Sequence, residues 1–160
     1  MEELTAEKLT KEGYLALLKT MQVIRFFEEE VEELFRRGIM PGRPHSYRGQ
    51  EACAVGVCSV LEDRDLVLSY HRGDGHMIAK GLDLYRVLAE LLGRRDGYSK
   101  GKGGKMHIAC PERGFLGTNT VVAASVPIAV GAALAARMRK SGQVAVSFFG
   151  DGAVNQGAWH

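Results

Sequence analysis

The sequence predicts an α/β domain built around a parallel β-sheet. Two short apolar runs, residues 66–69 and 144–149, are separated by stretches with helical character, and this alternation is typical of strands joined by helical crossovers. The second run is apolar along its length, which indicates a strand covered on both faces. It ends in Gly150-Asp151-Gly152. Because ligands of such sheets bind beyond the carboxyl ends of the strands, we expect functional groups at that edge.

The first element is a long amphipathic helix over residues 6–37. Its apolar residues recur at spacings of three, four and six, and Gly38 suits the position just after a helix end. Five glutamates fall within residues 28–33. We expect four of these side chains on a solvated face: Glu28, Glu29, Glu32 and Glu33. We divide the chain into an N-terminal helical arm, residues 1–40, and the first part of an α/β domain, residues 41–160, incomplete at its C-terminus.

Turn residues and periodicity define the other segments. Two prolines and a glycine forbid regular structure in residues 39–48. Residues 93–105 are rich in glycine and lysine, and we expect a polar, mobile loop. Its residues 100–105, with His107, are expected to be solvated and to become ordered only on assembly. Three helical stretches complete the chain: residues 49–61, which are buried, residues 75–92, which break at Gly81, and residues 126–140, with Pro127 in the first turn.

Composition excludes several classes of protein. A formal net charge of +2 gives no argument for a nucleic-acid partner. No run of about 18 apolar residues could span a membrane, and the N-terminal residues lack the apolar core of a signal peptide. The three cysteines, Cys53, Cys58 and Cys110, cannot all pair, so we expect reduced thiols that pack as small apolar side chains. These features favour a cytoplasmic protein.

The Gly150-Asp151-Gly152 turn has two interpretations. Glycines after a buried strand let the backbone approach a ligand, and exposed N–H groups near a helix start favour a phosphate. An aspartate beside a phosphate would repel it unless a cation lies between them, so Asp151 fits a magnesium ligand that bridges to phosphate oxygens. The alternative is a tight turn in which Asp151 caps the following helix.

Several motifs together resemble one family, the alpha subunits of the thiamine-diphosphate-dependent dehydrogenase component of pyruvate and related 2-oxo acid complexes. Residues 71–73 and 78–81 look closer to the acetoin-type members. The resemblance covers only the N-terminal half of such a subunit. The matching pieces, in family order, are RFFEE (25–29), HSYRGQEA (45–52), HRGDGH (71–76), KGKGGKMH (100–107), PIAVGAALA (127–135) and FGDGAVNQG (149–157).

The resemblance implies a thiamine-diphosphate-binding fold with magnesium and a role for each matching residue. His45 would be catalytic, lining the active centre and positioning the reacting intermediate. Asp151 would hold magnesium. The residues implied in cofactor binding are His71 and Arg72 beside the diphosphate, Thr120 and Val122 through their backbone to the aminopyrimidine, and Gly150, Gly152 and Ala153 around the diphosphate.

The implied reaction is oxidative decarboxylation of a pyruvate-like 2-oxo acid, or cleavage of acetoin, with acyl transfer to a lipoyl group. The implied partners are a beta subunit, which supplies the glutamate that activates the cofactor, and a lipoyl-bearing acyltransferase. The family expectation is an alpha–beta heterotetramer.

The sequence also departs from the family pattern. Thr120 and Ala123 stand where glycines are common, Asp74 replaces a common histidine and Lys105 a common serine. Asp74 is expected to place a negative charge near Arg72 and the diphosphate. The second half of the magnesium motif, an Asn-Asn pair, is absent, so we expect residues 1–160 alone to be inactive. Two alternatives stay open: a non-catalytic, truncated or degenerate subunit that only packs against a beta-type partner, and a transketolase-like half-chain.

Overall fold

The computed structural model describes residues 10–160. Within them, α-helices alternate with short β-strands, and 3-10 turns fill several of the connections. The helices are α1 (Lys11–Arg36), α2 (Glu51–Cys58), α3 (Asp74–Ala79), α4 (Leu84–Leu91) and α5 (Ser125–Arg139), and the strands are β1 (Leu66–Leu68), β2 (Phe115–Gly117) and β3 (Ala145–Ser147).

The three strands form one parallel sheet in the order β2-β1-β3. The predicted α/β class and parallel sheet are therefore confirmed, whereas β2 was not predicted. Because all three strands run the same way, the segments that follow them meet at one edge of the sheet. These segments begin at Ser69, Thr118 and Phe148. They include most of the residues singled out in the sequence.

Strand β3 is less buried than its composition predicts. Its three residues are half-buried rather than covered on both faces, because β3 is an edge strand of the described sheet and bonds to β1 alone. Helix α5 packs against β3 and β1. Within residues 10–160 this strand therefore lacks the cover on both faces that its composition indicates.

Helix α1 is capped at both ends. The Thr10 side chain accepts a hydrogen bond from the N–H of Gly13 at 3.1 Å, a standard N-cap. At the other end Gly38 adopts a φ of +69° and donates its N–H to the carbonyl of Phe35 at 2.9 Å. The predicted end of this helix is confirmed, and the predicted residues 6–9 lie outside the described part of the chain.

Two apolar clusters hold the helices to the sheet. The larger one joins α1, α4 and the sheet, and the smaller one joins α1, α2 and α3 through side chains that include Tyr47. The break between α3 and α4 falls where the sequence predicts it, at Gly81, whose φ is +86°. The fully buried side chains of the larger cluster include Val67, Met77, Val87, Ile108 and Phe115.

The cysteines follow the prediction in part. None of the three is in a disulfide, and Cys58 and Cys110 are buried as expected. Cys53 is exposed, because it lies on the outer face of α2, so its predicted burial is wrong. Among residues 10–160, no helix has the length and apolarity needed to cross a membrane.

Candidate functional site

A cavity of about 210 Å³ lies at the carboxyl edge of the sheet, among the segments that follow the three strands. Its wall is formed by the segment after β1, by residues 119–123 after β2, and by residues 149–153 after β3. The structure thus brings together seven of the nine predicted site residues: His71, Thr120, Val122, Gly150, Asp151, Gly152 and Ala153.

The other two predicted residues, His45 and Arg72, line a neighbouring cavity of about 710 Å³ beside α1. The Nη1 atom of Arg72 donates a hydrogen bond to the carbonyl of Ser46 at 2.6 Å. The His45 ring meets the His71 ring edge to face, with the ring centroids 5.1 Å apart. The two histidines therefore stand at the boundary between the two cavities.

The turn after β3 is open to solvent. Gly150 is extended, and Asp151–Asn155 form a 3-10 turn instead of the predicted α-helix. The N–H of Ala153 donates to the carbonyl of Gly150 at 2.9 Å, which leaves the earlier N–H groups of the turn without intrahelical acceptors. A Cβ atom added at Gly150 or Gly152 would meet nothing within 4 Å. Neither glycine is required by packing against the described residues.

Asp151 is the one carboxylate among the residues that line this smaller cavity, and it is exposed. No group of three or more His, Cys, Asp or Glu side chains suited to a metal ion occurs within the described part of the chain. A hard cation such as Mg²⁺ commonly takes one or two protein carboxylates and completes its shell with phosphate oxygens and water. The donor set around Asp151 fits that kind of shared site and does not form a protein-only cage.

The two replacements of glycine in the wall of the cavity differ in their backbone. Thr120 has a negative φ, so a Cβ atom is tolerated there, whereas Ala123 is buried with a φ of +65°. That left-handed conformation costs a non-glycine residue roughly 1–2 kcal/mol. The turn is also held by Asn119, whose Oδ1 accepts the N–H of Val121 at 2.9 Å. Ala123 is therefore a strained residue at the edge of the cavity.

Behind the cavity lies a histidine that the sequence did not single out. His76 is buried on α3, with the hydroxyls of Tyr47 and Ser69 at its two ring nitrogens. Burial lowers the pKa of His76 to about 3, so the imidazole is neutral near pH 7. The only signal in the sequence was its place at the end of the HRGDGH motif.

Comparison with known proteins identifies the family of the chain. The family described as dehydrogenase E1 component matches residues 19–160, which is most of the sequence. The chain belongs to the dehydrogenase E1 component family.

The relatives are alpha subunits of the two kinds that the motifs suggested. The alpha subunit of acetoin:2,6-dichlorophenolindophenol oxidoreductase from Bacillus subtilis (strain 168) is 50% identical over 152 residues, 95% of this chain and 46% of the relative. The pyruvate dehydrogenase E1 component subunit alpha of Rhizobium meliloti (strain 1021) is 43% identical over 153 residues, 96% of this chain and 44% of the relative. The chain spans less than half the length of these curated relatives. The predicted resemblance to the N-terminal half of such subunits is confirmed.

This E1-family chain contains a buried ionic cluster that contradicts two expectations from the sequence. Glu28 is 1% exposed instead of solvated, and Lys105 is nearly buried instead of lying on a solvated loop. The Nζ atom of Lys105 lies 3.1 Å from Oε1 of Glu28 and also donates to Asp74. Asp74 is therefore directed at Lys105. Its Oδ1 atom is buried with no hydrogen-bond partner.

The glycine- and lysine-rich loop is ordered by a second buried carboxylate. Glu90 on α4 is fully buried, and its two oxygens accept four backbone N–H groups at 2.7–3.2 Å. The prediction that residues 100–105 become ordered only on assembly is therefore wrong, because this part of the loop wraps around a carboxylate of its own chain. The donors belong to Ser99, Gly101, Gly103 and Gly104.

Proposed function

We propose that this chain supplies the diphosphate- and magnesium-binding half of a thiamine-diphosphate-dependent site. The observation that supports the proposal is the meeting of seven predicted site residues around one cavity at the carboxyl edge of a parallel sheet. That edge is where α/β proteins place their ligands. In the proposed domain division, residues 1–40 form a helical arm and residues 41–160 begin the cofactor-binding domain.

Asp151 would be the protein ligand of magnesium, and the open backbone at Gly150 and Gly152 would face the diphosphate. Exposed N–H groups beside a cation favour a phosphate for electrostatic reasons. Ala153, which is buried, would close the floor of this turn. The other magnesium ligands would come from the diphosphate, from water and from groups outside residues 10–160.

Arg72 and His71 would hold the other side of the diphosphate. The Ser46 carbonyl accepts one N–H from Nη1 of Arg72, and a guanidinium has five N–H donors for charge-assisted bonds to phosphate. Burial lowers the pKa of His71, and nearby His45 and Arg72 lower it further. A neutral His71 would donate one N–H, and the His45 ring that packs against it would position the reacting intermediate.

The bound cofactor would supply the carbon nucleophile for decarboxylation of a 2-oxo acid or cleavage of acetoin. The backbone at Thr120 and Val122 would contact its aminopyrimidine. A beta-type partner would complete the site, and the acyl group would pass to the lipoyl group of an acyltransferase. A second candidate is a non-catalytic subunit that only packs against such a partner, and the strained Ala123 in the cavity wall favours it.

The deciding experiment is calorimetric titration of thiamine diphosphate into the intact protein assembled with its partner subunit, at several magnesium concentrations. We expect Asp151→Ala to abolish magnesium-dependent binding, because it removes the charged oxygen ligand of a hard cation. Asp63→Ala is the matched control, since Asp63 is exposed and lies outside the cavity. Equal affinities in all three proteins would remove Asp151 from the metal site. Failure of the parent protein to bind would favour the non-catalytic subunit.

A further inference from the structure

His76 touches three separate segments of the chain at once. Its Nε2 atom lies 3.0 Å from the hydroxyl of Tyr47, and its Nδ1 atom lies 2.7 Å from the hydroxyl of Ser69. The face of its ring stacks on Phe148, with the centroids 3.8 Å apart and the planes 23° from parallel. Both polar edges and one face of the imidazole are therefore engaged.

Each of these contacts leads directly to residues of the candidate site. Tyr47 follows His45 by two positions, and Ser69 precedes His71 by two positions. Phe148 precedes Gly150 by two positions, and its N–H donates to the carbonyl of Leu68 at 2.9 Å. One side chain thus links the loop before α2, the end of β1 and the end of β3.

We propose that His76 is a positioning residue that fixes these three segments relative to one another, and so sets the spacing of His45, His71 and the turn at Gly150. Its effect on cofactor binding rests on the function proposed above. Its effect on the backbone is independent of that function, because all of its contacts lie within the described residues.

The chemistry of a neutral imidazole suits this position. It has one N–H donor and one acceptor nitrogen. It can therefore donate a hydrogen bond to one hydroxyl and accept one from the other without bringing a charge into the interior. A phenyl ring could stack on Phe148 but would leave both hydroxyls unpaired, which is costly for buried groups.

The packing around His76 leaves little room for adjustment. A Cβ atom at Gly75 would overlap the ring of Tyr47, and one at Gly73 would overlap the side chain of Thr118. The start of α3 therefore lies close against Tyr47 and against Thr118, which follows β2, and this packing leaves the backbone that carries His76 little freedom to move. A displaced segment would break one of its bonds.

The test uses Tyr47→Phe, His76→Phe and the double variant in the intact protein assembled with its partner subunit. Tyr98→Phe is the matched control, because the hydroxyl of Tyr98 accepts the N–H of Asp83 at 2.8 Å on a different part of the chain. Two quantities are measured where every variant is fully folded by circular dichroism. They are the amide hydrogen exchange of residues 45–48, 69–72 and 148–153, and the dissociation constant of thiamine diphosphate with magnesium.

We expect His76→Phe to speed exchange in all three segments and to weaken cofactor binding by about fivefold or more, the effect of one net hydrogen bond. Tyr47→Phe should do the same to a smaller extent. Adding Tyr47→Phe to His76→Phe should cause no further loss, because the hydroxyl it removes is already unpaired. Tyr98→Phe should change neither quantity at these positions.

Faster exchange confined to residues 69–72, or equal effects of His76→Phe and Tyr98→Phe, would overturn the proposal. The exchange measurement needs no cofactor. If the parent protein binds no thiamine diphosphate, the proposed function fails while the exchange pattern still decides the role of His76. Normal cofactor affinity in His76→Phe, with the parent binding well, would show that His76 serves stability alone.

Discussion

Lys105 and Glu28 form a buried ion pair across 77 positions of sequence, with Nζ of the lysine 3.1 Å from Oε1 of the glutamate. Asp74 shares the same ammonium group. The lysine thus holds the glycine-rich loop against α1 and α3, and its ammonium group lies between the two buried carboxyl groups.

Replacing this lysine should destabilise the protein strongly. Lys105→Met would leave the Glu28 carboxylate buried without a cation, and removing one partner of a buried ion pair costs about 3–5 kcal/mol. The free energy of unfolding in urea measures the loss, with Lys102→Met on the exposed part of the same loop as the control. Adding Glu28→Gln to Lys105→Met should restore part of the loss, because it removes the carboxylate that was left without a cation. Equal costs for the two lysine variants would mean that the pair contributes nothing.

Asp74 should make the protein less stable as pH rises, which is the opposite of the usual effect of a paired carboxylate. Burial raises the pKa of Asp74, Lys105 opposes the shift in part, and Glu28 adds to it. A carboxyl with a raised folded-state pKa adds stability that is fully present below its unfolded-state pKa. That stability is lost as pH rises towards the raised value.

The free energy of unfolding of the parent, minus that of Asp74→Asn, should therefore decrease as pH rises from about 4. Chemical denaturation at a series of pH values measures it. A difference that stays constant, or grows with pH, would mean that Asp74 is ionised throughout and is held by Lys105 in the ordinary way.

Ala123 should tolerate glycine better than other buried alanines. Ala123→Gly removes a buried methyl group but relieves the left-handed backbone at φ +65°, so we expect a net change within about 0.5 kcal/mol. Ala136→Gly, at a buried position inside α5, should cost about 1 kcal/mol or more because glycine weakens a helix interior. Thermal unfolding of both variants makes the comparison. Equal losses would show that Ala123 is not strained.

Glu90 should control the order of the loop around it. Glu90→Gln keeps one acceptor oxygen but turns an NH₂ group towards two of the four backbone donors, and bonds to a charged group are worth about 1.5–3 kcal/mol each. Amide hydrogen exchange should quicken across residues 97–104, whereas Glu30→Gln on the exposed face of α1 should leave it unchanged. Unaltered exchange in Glu90→Gln would show that the glycine turns hold the loop without the carboxylate.

Local signals in the sequence predicted much of the fold and of the candidate site. Gly38 and Gly81 end helices through their own backbone freedom, and the run before Gly150 specifies a strand and a turn within a few residues. The buried state of Glu28 and Glu90 could not be predicted in this way. Their partners lie 77 and 9–14 positions away, and glutamates on a helix are ordinarily exposed. Strand β2 has only two apolar residues, which lie between Gly114 and Gly117, so no apolar run indicates it.

The strand order has a consequence for where anything can bind. From β1 the chain passes to β2 on one side of the sheet, while β3 joins β1 on the other, so β1 is the central strand. The segments that leave all three parallel strands reach the same edge of the sheet, and α/β proteins bind their ligands in the crevice beyond that edge. Substitutions at Asp151 or Thr120 can therefore change what the crevice accommodates, but its location is a property of the chain path.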